Sequence, residues 1–197
     1  MAGNFCQNLN NMKFLGNNFG TPRAERQPSP ESGGLEVVEL TPNDWQELRE
    51  LRIQALKNAP RAFGQTLEEA RSLGESEWKQ RFNTGRYFCV REGGKLVGML
   101  CTVRERGEKV QHVLNVYSVY VAPEARGRGV ARAMFDKVMS EYMDGSTRKI
   151  RLRVASDNEE ARGLYESIGF EQVGFLKDEL HVDGEYVDEI VMEKFLG

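Results

Sequence analysis

Cysteine and histidine are scarce in this chain of 197 residues, which carries three cysteines (Cys6, Cys89, Cys101) and two histidines (His112, His181). With an odd cysteine count and no C-x-x-C spacing, neither a disulfide framework nor a zinc ribbon is encoded, and no metal is expected. Cys89 and Cys101 sit in apolar runs and read as core thiols. No apolar stretch reaches the ~18 residues of a membrane-spanning helix. The opening "MAGNFCQNLNNMKFLG" lacks the charged-then-apolar order of a secretory signal. A reducing, cytoplasmic setting without membrane attachment is the expectation. Excess positive charge is also missing. Lys and Arg number 27 against 30 Asp and Glu, a net charge of −3, which argues against a dedicated nucleic-acid binder.

What is present is ordinary for a globular protein, with 40% hydrophobic and 29% charged residues. The composition shifts along the chain. Residues 1–34 are rich in Asn, Gly, Pro and Ser, hold three of the six prolines and end in "TPRAERQPSPESGG". Such a stretch buries too little to offset its ordering entropy, so a disordered tail and linker is expected there, with a short helix around Met12–Leu15. Residues 35–197 form the expected domain.

Within that domain "LEVVEL" alternates like a strand. "TPNDWQELRELRIQALKNAP" reads as a helix capped by Thr41, with Trp45, Leu48, Leu51, Ala55 and Leu56 on one face and Pro60 as its stop. "ESEWKQRF" reads as a second, short helix. "RYFCVRE", "KLVGMLCTVRER" and "KVQHVLNVYSVYVA" are strands joined by Gly-containing turns, the pattern of an antiparallel meander. Then helix and strand alternate through "GRGVARAMFDKVMSEYM", "RKIRLRVA", "NEEARGLYESIG" and "FEQVGFLKDEL". Asp183–Gly184 marks a hairpin turn before the last strand, "EYVDEIVMEKFL". The predicted fold class is α/β (α+β): a mixed, mostly antiparallel twisted sheet of about six to seven strands with helices on both faces.

The segment "RGRGVA", residues 126–131, stands between a strand and a helix. It is no P-loop, because no Lys-Ser/Thr follows the glycines. It is no dinucleotide fingerprint either, because Arg132 occupies the third small position. The first N–H groups of a helix lack intrahelical partners, and the helix dipole adds positive charge there. Gly127 and Gly129 permit close approach of a ligand, and Arg126 and Arg128 add charge. The segment therefore reads as a phosphate cradle on a helix N-terminus, or as a helix-start turn with exposed arginines.

These residues resemble the pyrophosphate-binding motif R/Q-x-x-G-x-G/A of the GNAT superfamily of acyl-CoA N-acyltransferases. A second stretch, "NEEARGLYESIGF" (158–170), resembles that family's N-x-x-A-x-x-L-Y-x-x-x-G-F signature at every fixed position. The resemblance covers the domain and implies a GNAT-like fold using acetyl-CoA as acyl donor. It implies that the pantetheine arm pairs with Val119, Tyr120 and Val121. It also implies that the pyrophosphate meets Gly127, Gly129, Val130 and Ala131, with Arg126, Arg128 and Arg132 nearby. By the same resemblance Asn158 hydrogen-bonds the pantetheine, and Tyr165 is the catalytic residue that protonates or hydrogen-bonds the departing thiolate. By periodicity alone Tyr165 is a core aromatic and Asn158 a helix-start residue.

Many members of the family carry a glutamate on the central strand, where this chain has Asn115, which cannot act as a base. His112, Asp188, Glu189 or a water chain remain as candidates for that role. Phe63, Asn115 and Tyr186 are candidates for the acceptor pocket. The acidic hairpin (Asp178, Glu179, Asp183, Glu185, Asp188, Glu189) reads either as a solvated face or as a mouth that attracts a cationic amine. The implied activity is acetyl transfer from acetyl-CoA to an amine, with a small molecule favoured over a protein N-terminus or lysine. A non-catalytic acyl-CoA-binding module is the reading from another class. A monomer or homodimer is expected.

Overall fold

The computed structural model describes residues 35–197, so the expected tail, linker and short helix before them lie outside the described residues. The elements run β1 (Glu36–Glu39), α1 (Trp45–Asn58), α2 (Leu67–Ser72), α3 (Glu75–Gln80), β2 (Arg86–Glu92), β3 (Lys95–Arg104), β4 (Val113–Val121), α4 (Val130–Tyr142), β5 (Lys149–Ala155), α5 (Glu159–Ile168), β6 (Glu171–Val182) and β7 (Glu185–Phe195). Seven strands form one sheet in the order β1-β2-β3-β4-β5-β7-β6. All neighbouring pairs are antiparallel except β4 and β5. This is the mixed, mostly antiparallel sheet that the pattern of turns and helices predicts.

Local chemistry accounts for the helices. Before α1, the Thr41 hydroxyl accepts from Asn43 N (3.3 Å) while the Asp44 carboxylate accepts from Thr41 N (2.7 Å). Leu48, Leu51, Ala55 and Leu56 form its buried stripe, and Ala59 and Pro60 end it. The helix α2 is an addition to the expected set. Its signal was present in "TLEE", where Thr66 and Glu69 form a reciprocal capping box.

Helices cover both faces of the sheet. On one face Thr102 of β3 hydrogen-bonds Tyr142 of α4 (Oγ1 to Oη, 2.9 Å). A Cβ at Gly98 would stand 2.6 Å from Val130 Cγ1, so glycine lets α4 settle onto β3. On the other face Tyr87 of β2 packs against Phe82, just after α3, with ring centroids 5.2 Å apart. The core between these layers includes Phe88, Leu100, Met134, Phe135 and Ile150, all essentially inaccessible.

Two irregularities prepare a site. The parallel pairing of β4 with β5 stops at Val116–Leu152, although β4 continues to Val121 and β5 to Ala155, so the strands part. Opposite β3, the register moves from Met99–Tyr120 to Cys101–Tyr117, one extra residue on β4. Ser118, at that bulge, has φ 58°, a left-handed conformation that non-glycine residues seldom take.

The third strand of the meander is shorter than expected. Residues 109–112 form a turn, so His112 precedes β4 and is not within it. Its carbonyl accepts from Arg148 N (2.9 Å) at the end of β4 remote from the parting strands.

Candidate functional site

A cleft of about 550 Å³ opens where β4 and β5 separate. Its walls come from four segments: Val119–Val121 of β4, the turn and first residues of α4, the inner side of α5, and the end of α1 with the turn after it.

The floor is the start of α4. Gly129 is its N-cap with φ 78°, and Gly127 has φ 70°. No side chain caps the helix, so its first N–H groups remain available at the cleft wall formed by Gly129, Val130 and Ala131. A Cβ at Gly127 or Gly129 would meet nothing within 4 Å. The backbone conformation demands glycine there, and the space beside it is open.

The arginines separate. Arg126 lines the cleft and donates through Nε to Val121 O (3.3 Å). Arg132 lines it too and donates to Ser167 O (3.1 Å) and Oγ (2.9 Å). Arg128 turns away and forms a two-point ion pair with Glu92, Nη1 donating to Oε2 at 3.0 Å. It is not part of the cleft wall.

From α5 come Asn158 and Tyr165. Asn158 caps the helix, its Oδ1 accepting from Ala161 N at 3.1 Å. This leaves its amide NH₂ for a ligand in the cleft it borders. Tyr165 is 5% exposed, with its ring against Phe135 (5.7 Å) and Phe170 (6.0 Å). Burial raises its phenol pKa well above the ordinary value.

Across the cleft Phe63 is buried beneath the Arg52 guanidinium, 4.3 Å from the ring centroid. Asn58 Nδ2 donates to Tyr120 Oη (2.8 Å), joining α1 to β4. Asn58, Ala59 and Ala62 are lining residues that sequence reasoning missed, because nothing in "KNAPRAF" marks them except a helix stop.

Other candidates fall elsewhere. Asn115 is buried (6% exposed) below the point where the strands part and does not line the cleft. Tyr186 is exposed and packs on His181 (4.8 Å). Asp188 Oδ1 accepts from Asp178 N (2.8 Å) inside the β6 bulge. Glu189 is half-buried, and burial raises its carboxyl pKa. Much of the acidic hairpin is already paired. Arg61 bridges Asp157 (2.9 Å) and Glu185 (2.8 Å), and Arg153 holds Glu179 (2.7 Å).

The acetyltransferase (GNAT) family profile matches residues 45–170. Phosphinothricin N-acetyltransferase from Alcaligenes faecalis is 30% identical over 112 residues, 56% of this chain and 57% of that protein. The N-alpha-acetyltransferase RimI of Mycobacterium tuberculosis is 29% identical over 139 residues, covering 67% of this chain and 85% of that one. Among solved structures, a GNAT superfamily phosphinothricin acetyltransferase from Sinorhizobium meliloti, in complex with AcCoA, aligns with a TM-score of 0.70 at 21% identity. That alignment covers 83% of this chain and 89% of the other and is a likeness of fold.

Proposed function

This chain belongs to the acetyltransferase (GNAT) family, and we propose that it transfers the acetyl group of acetyl-CoA directly to an amine, with a small-molecule amine as acceptor. One observation carries this reading: the uncapped, glycine-started N-terminus of α4 and the side chain of Tyr165 line the same cleft at the parting of β4 and β5.

In this reading the pyrophosphate takes N–H bonds from the first turn of α4, beside Arg126 and Arg132. The pantetheine arm lies along Val119–Val121, pairing with backbone that β5 has released. The Asn158 amide donates to it. Arg128, paired with Glu92, contributes only long-range charge.

Direct attack is supported by the lack of a suitable nucleophile among the described residues. Cys89 and Cys101 are buried in the sheet, and burial pushes the Cys101 thiol up to about 12. Ser167 Oγ, in the cleft wall, donates to Leu164 O at 2.7 Å.

The leaving sulfur then needs stabilisation. With ordinary values of about 10 for a phenol and 8.5 for a thiol, full proton transfer from tyrosine is uphill by about 2 kcal/mol. Burial raises the Tyr165 phenol further, and in this reading the tyrosine donates a hydrogen bond to the sulfur without giving up its proton.

The acceptor must be neutral to attack. A lysine-like amine is neutral to about one part in 2,500 at pH 7, an α-amine to about 15%. The Alcaligenes relative, named for phosphinothricin, supports a small molecule. The N-alpha-acetyltransferase relative supports a protein α-amine as the second reading.

The test is thiol release from acetyl-CoA by the full chain across amino acids, polyamines, other small amines and peptides. Turnover with small amines supports the proposal, and turnover with peptides alone supports the second reading. Acetyl-CoA binding without turnover on the whole panel indicates a non-catalytic module. Failure to bind acetyl-CoA overturns the assignment of the cleft.

A further inference from the structure

The central strand offers no base at Asn115, and His112 lies at its far end. Six residues of strand separate His112 from Val119, roughly 20 Å. The β5–β7 seam reaches the site instead. Ala155, the last residue of β5, stands opposite Glu189 in register. Asn158, at the cleft rim, donates its N–H to Ala155 O (3.0 Å), and Ser156 N donates to Asp188 O (2.8 Å). Glu189 is not itself in the cleft wall, but it pairs with the residue whose carbonyl holds Asn158, which is.

Register also decides which face Glu189 occupies. Thr102 pairs with Val116, Val116 with Leu152, and Leu152 with Met192. Paired residues share a face, so all four belong to the face where Thr102 meets α4. Arg153, Ala155, Glu189 and Val191 fall on the opposite one. Tyr165 packs on Phe135 of α4 and belongs to the first face. Glu189 and Tyr165 thus flank the parted strands from opposite faces. In a direct transfer the group that receives the amine proton and the group that serves the departing sulfur approach the carbonyl carbon from different directions.

Glu189 forms a longer ion pair than the other carboxylates around it. Its facing cation is Arg153 of β5, whose Nη1 is 3.7 Å from Oε2, beyond hydrogen-bond reach, and which is held at 2.7 Å by Glu179 of β6. Along β7, Asp188 accepts from the β6 backbone, Glu185 from Arg61, and Glu193 from Lys149 and Arg151. Burial and the Glu179 charge raise the Glu189 carboxyl, and Arg153 opposes them.

We propose that Glu189 is the general base of this acetyl transfer, an inference that rests on the acetyltransferase reading above. The amine lone pair attacks the thioester carbon, so a C–N bond forms. As the tetrahedral species collapses, the C–S bond breaks and its electron pair leaves on sulfur, where Tyr165 donates a hydrogen bond. The proton lost by nitrogen passes to the Glu189 carboxylate. The products are an acetylated amine and CoA.

The experiment follows thiol release by the full chain with acetyl-CoA and the best amine of the panel, across pH, for wild type, Glu189→Gln, Glu189→Asp and Arg153→Gln. Glu189→Gln is expected to lower kcat by about 10²–10⁴-fold at unchanged acetyl-CoA affinity. The acid limb of kcat/KM, set by the acceptor amine and the Glu189 carboxyl together, should lose the carboxyl's part. Glu189→Asp recovers part of the rate. Arg153→Gln keeps the acid limb but moves it to higher pH, because the positive charge that favours the carboxylate is gone. A Glu189→Gln enzyme within threefold of wild type with the same acid limb overturns the proposal and leaves the acetyltransferase reading intact. So do equal losses in Glu189→Gln and Arg153→Gln without any change of limb, the signature of a structural pair. A wild type that binds acetyl-CoA yet acetylates no amine overturns both.

Discussion

The ring of Tyr165 is wedged edge-on between Phe135 and Phe170, while burial alone accounts for its raised pKa and no hydrogen bond to its hydroxyl is present among the described residues. Periodicity marks this residue as core, which its burial bears out, and the family signature marks it as functional, which its place in the cleft wall is compatible with. Asn158 is double in the same way, with its oxygen capping α5 and its amide left over. Tyr165→Phe keeps the ring contacts and removes only the donor. We expect the single-turnover acetylation rate to fall about 10²-fold with acetyl-CoA affinity and unfolding midpoint nearly unchanged. Rapid-quench and denaturant measurements check this, and an unaltered single-turnover rate would sink the assignment.

At the scale of elements, the start of α4 was legible because helix N-termini have a fixed chemistry and glycines mark left-handed backbone. Arg128 was not, because its pairing with Glu92 of β2 is decided by a strand 36 positions earlier. His112 was misplaced for a related reason: an apolar-alternating run does not reveal where the chain stops pairing. Gly129→Ala tests the α4 start. With φ at 78°, alanine is strained by about 1–2 kcal/mol, although its Cβ meets no protein atom. The new methyl group points into the open space that the proposed function assigns to the pyrophosphate. Acetyl-CoA affinity, measured by calorimetry, is expected to fall by more than the loss of stability accounts for.

Across the whole domain, the seam of β5 and β7 ties the outer hairpin to the central strands. Glu193, 8% exposed, accepts from Lys149 (2.8 Å) and Arg151 (2.8 Å) across that seam. Burial opposes its ionisation, but the two cations outweigh it and hold the carboxyl below its ordinary range. A carboxyl depressed in the folded state stabilises the fold above its unfolded pKa, about 4.3, and loses that contribution as pH falls through the folded value. Glu193→Gln is expected to cost roughly 2 kcal/mol at pH 7. The difference from wild type should shrink steadily below about pH 4, read from urea unfolding at each pH.

Sequence alone determined the order of the strands and of the helices other than α2, the glycine-started helix, the cap at Asn158 and the family motifs, because each depends on residues within a few positions of one another. Only the tertiary structure decided which arginines face the cleft, that Arg61 and Arg153 hold much of the acidic hairpin, and that Glu189 pairs with the last residue of β5 while His112 lies at the far end of β4. Those outcomes depend on strand register and on how far β4 and β5 pair before they part. Both are settled by contacts between segments distant along the chain, where no local pattern reaches.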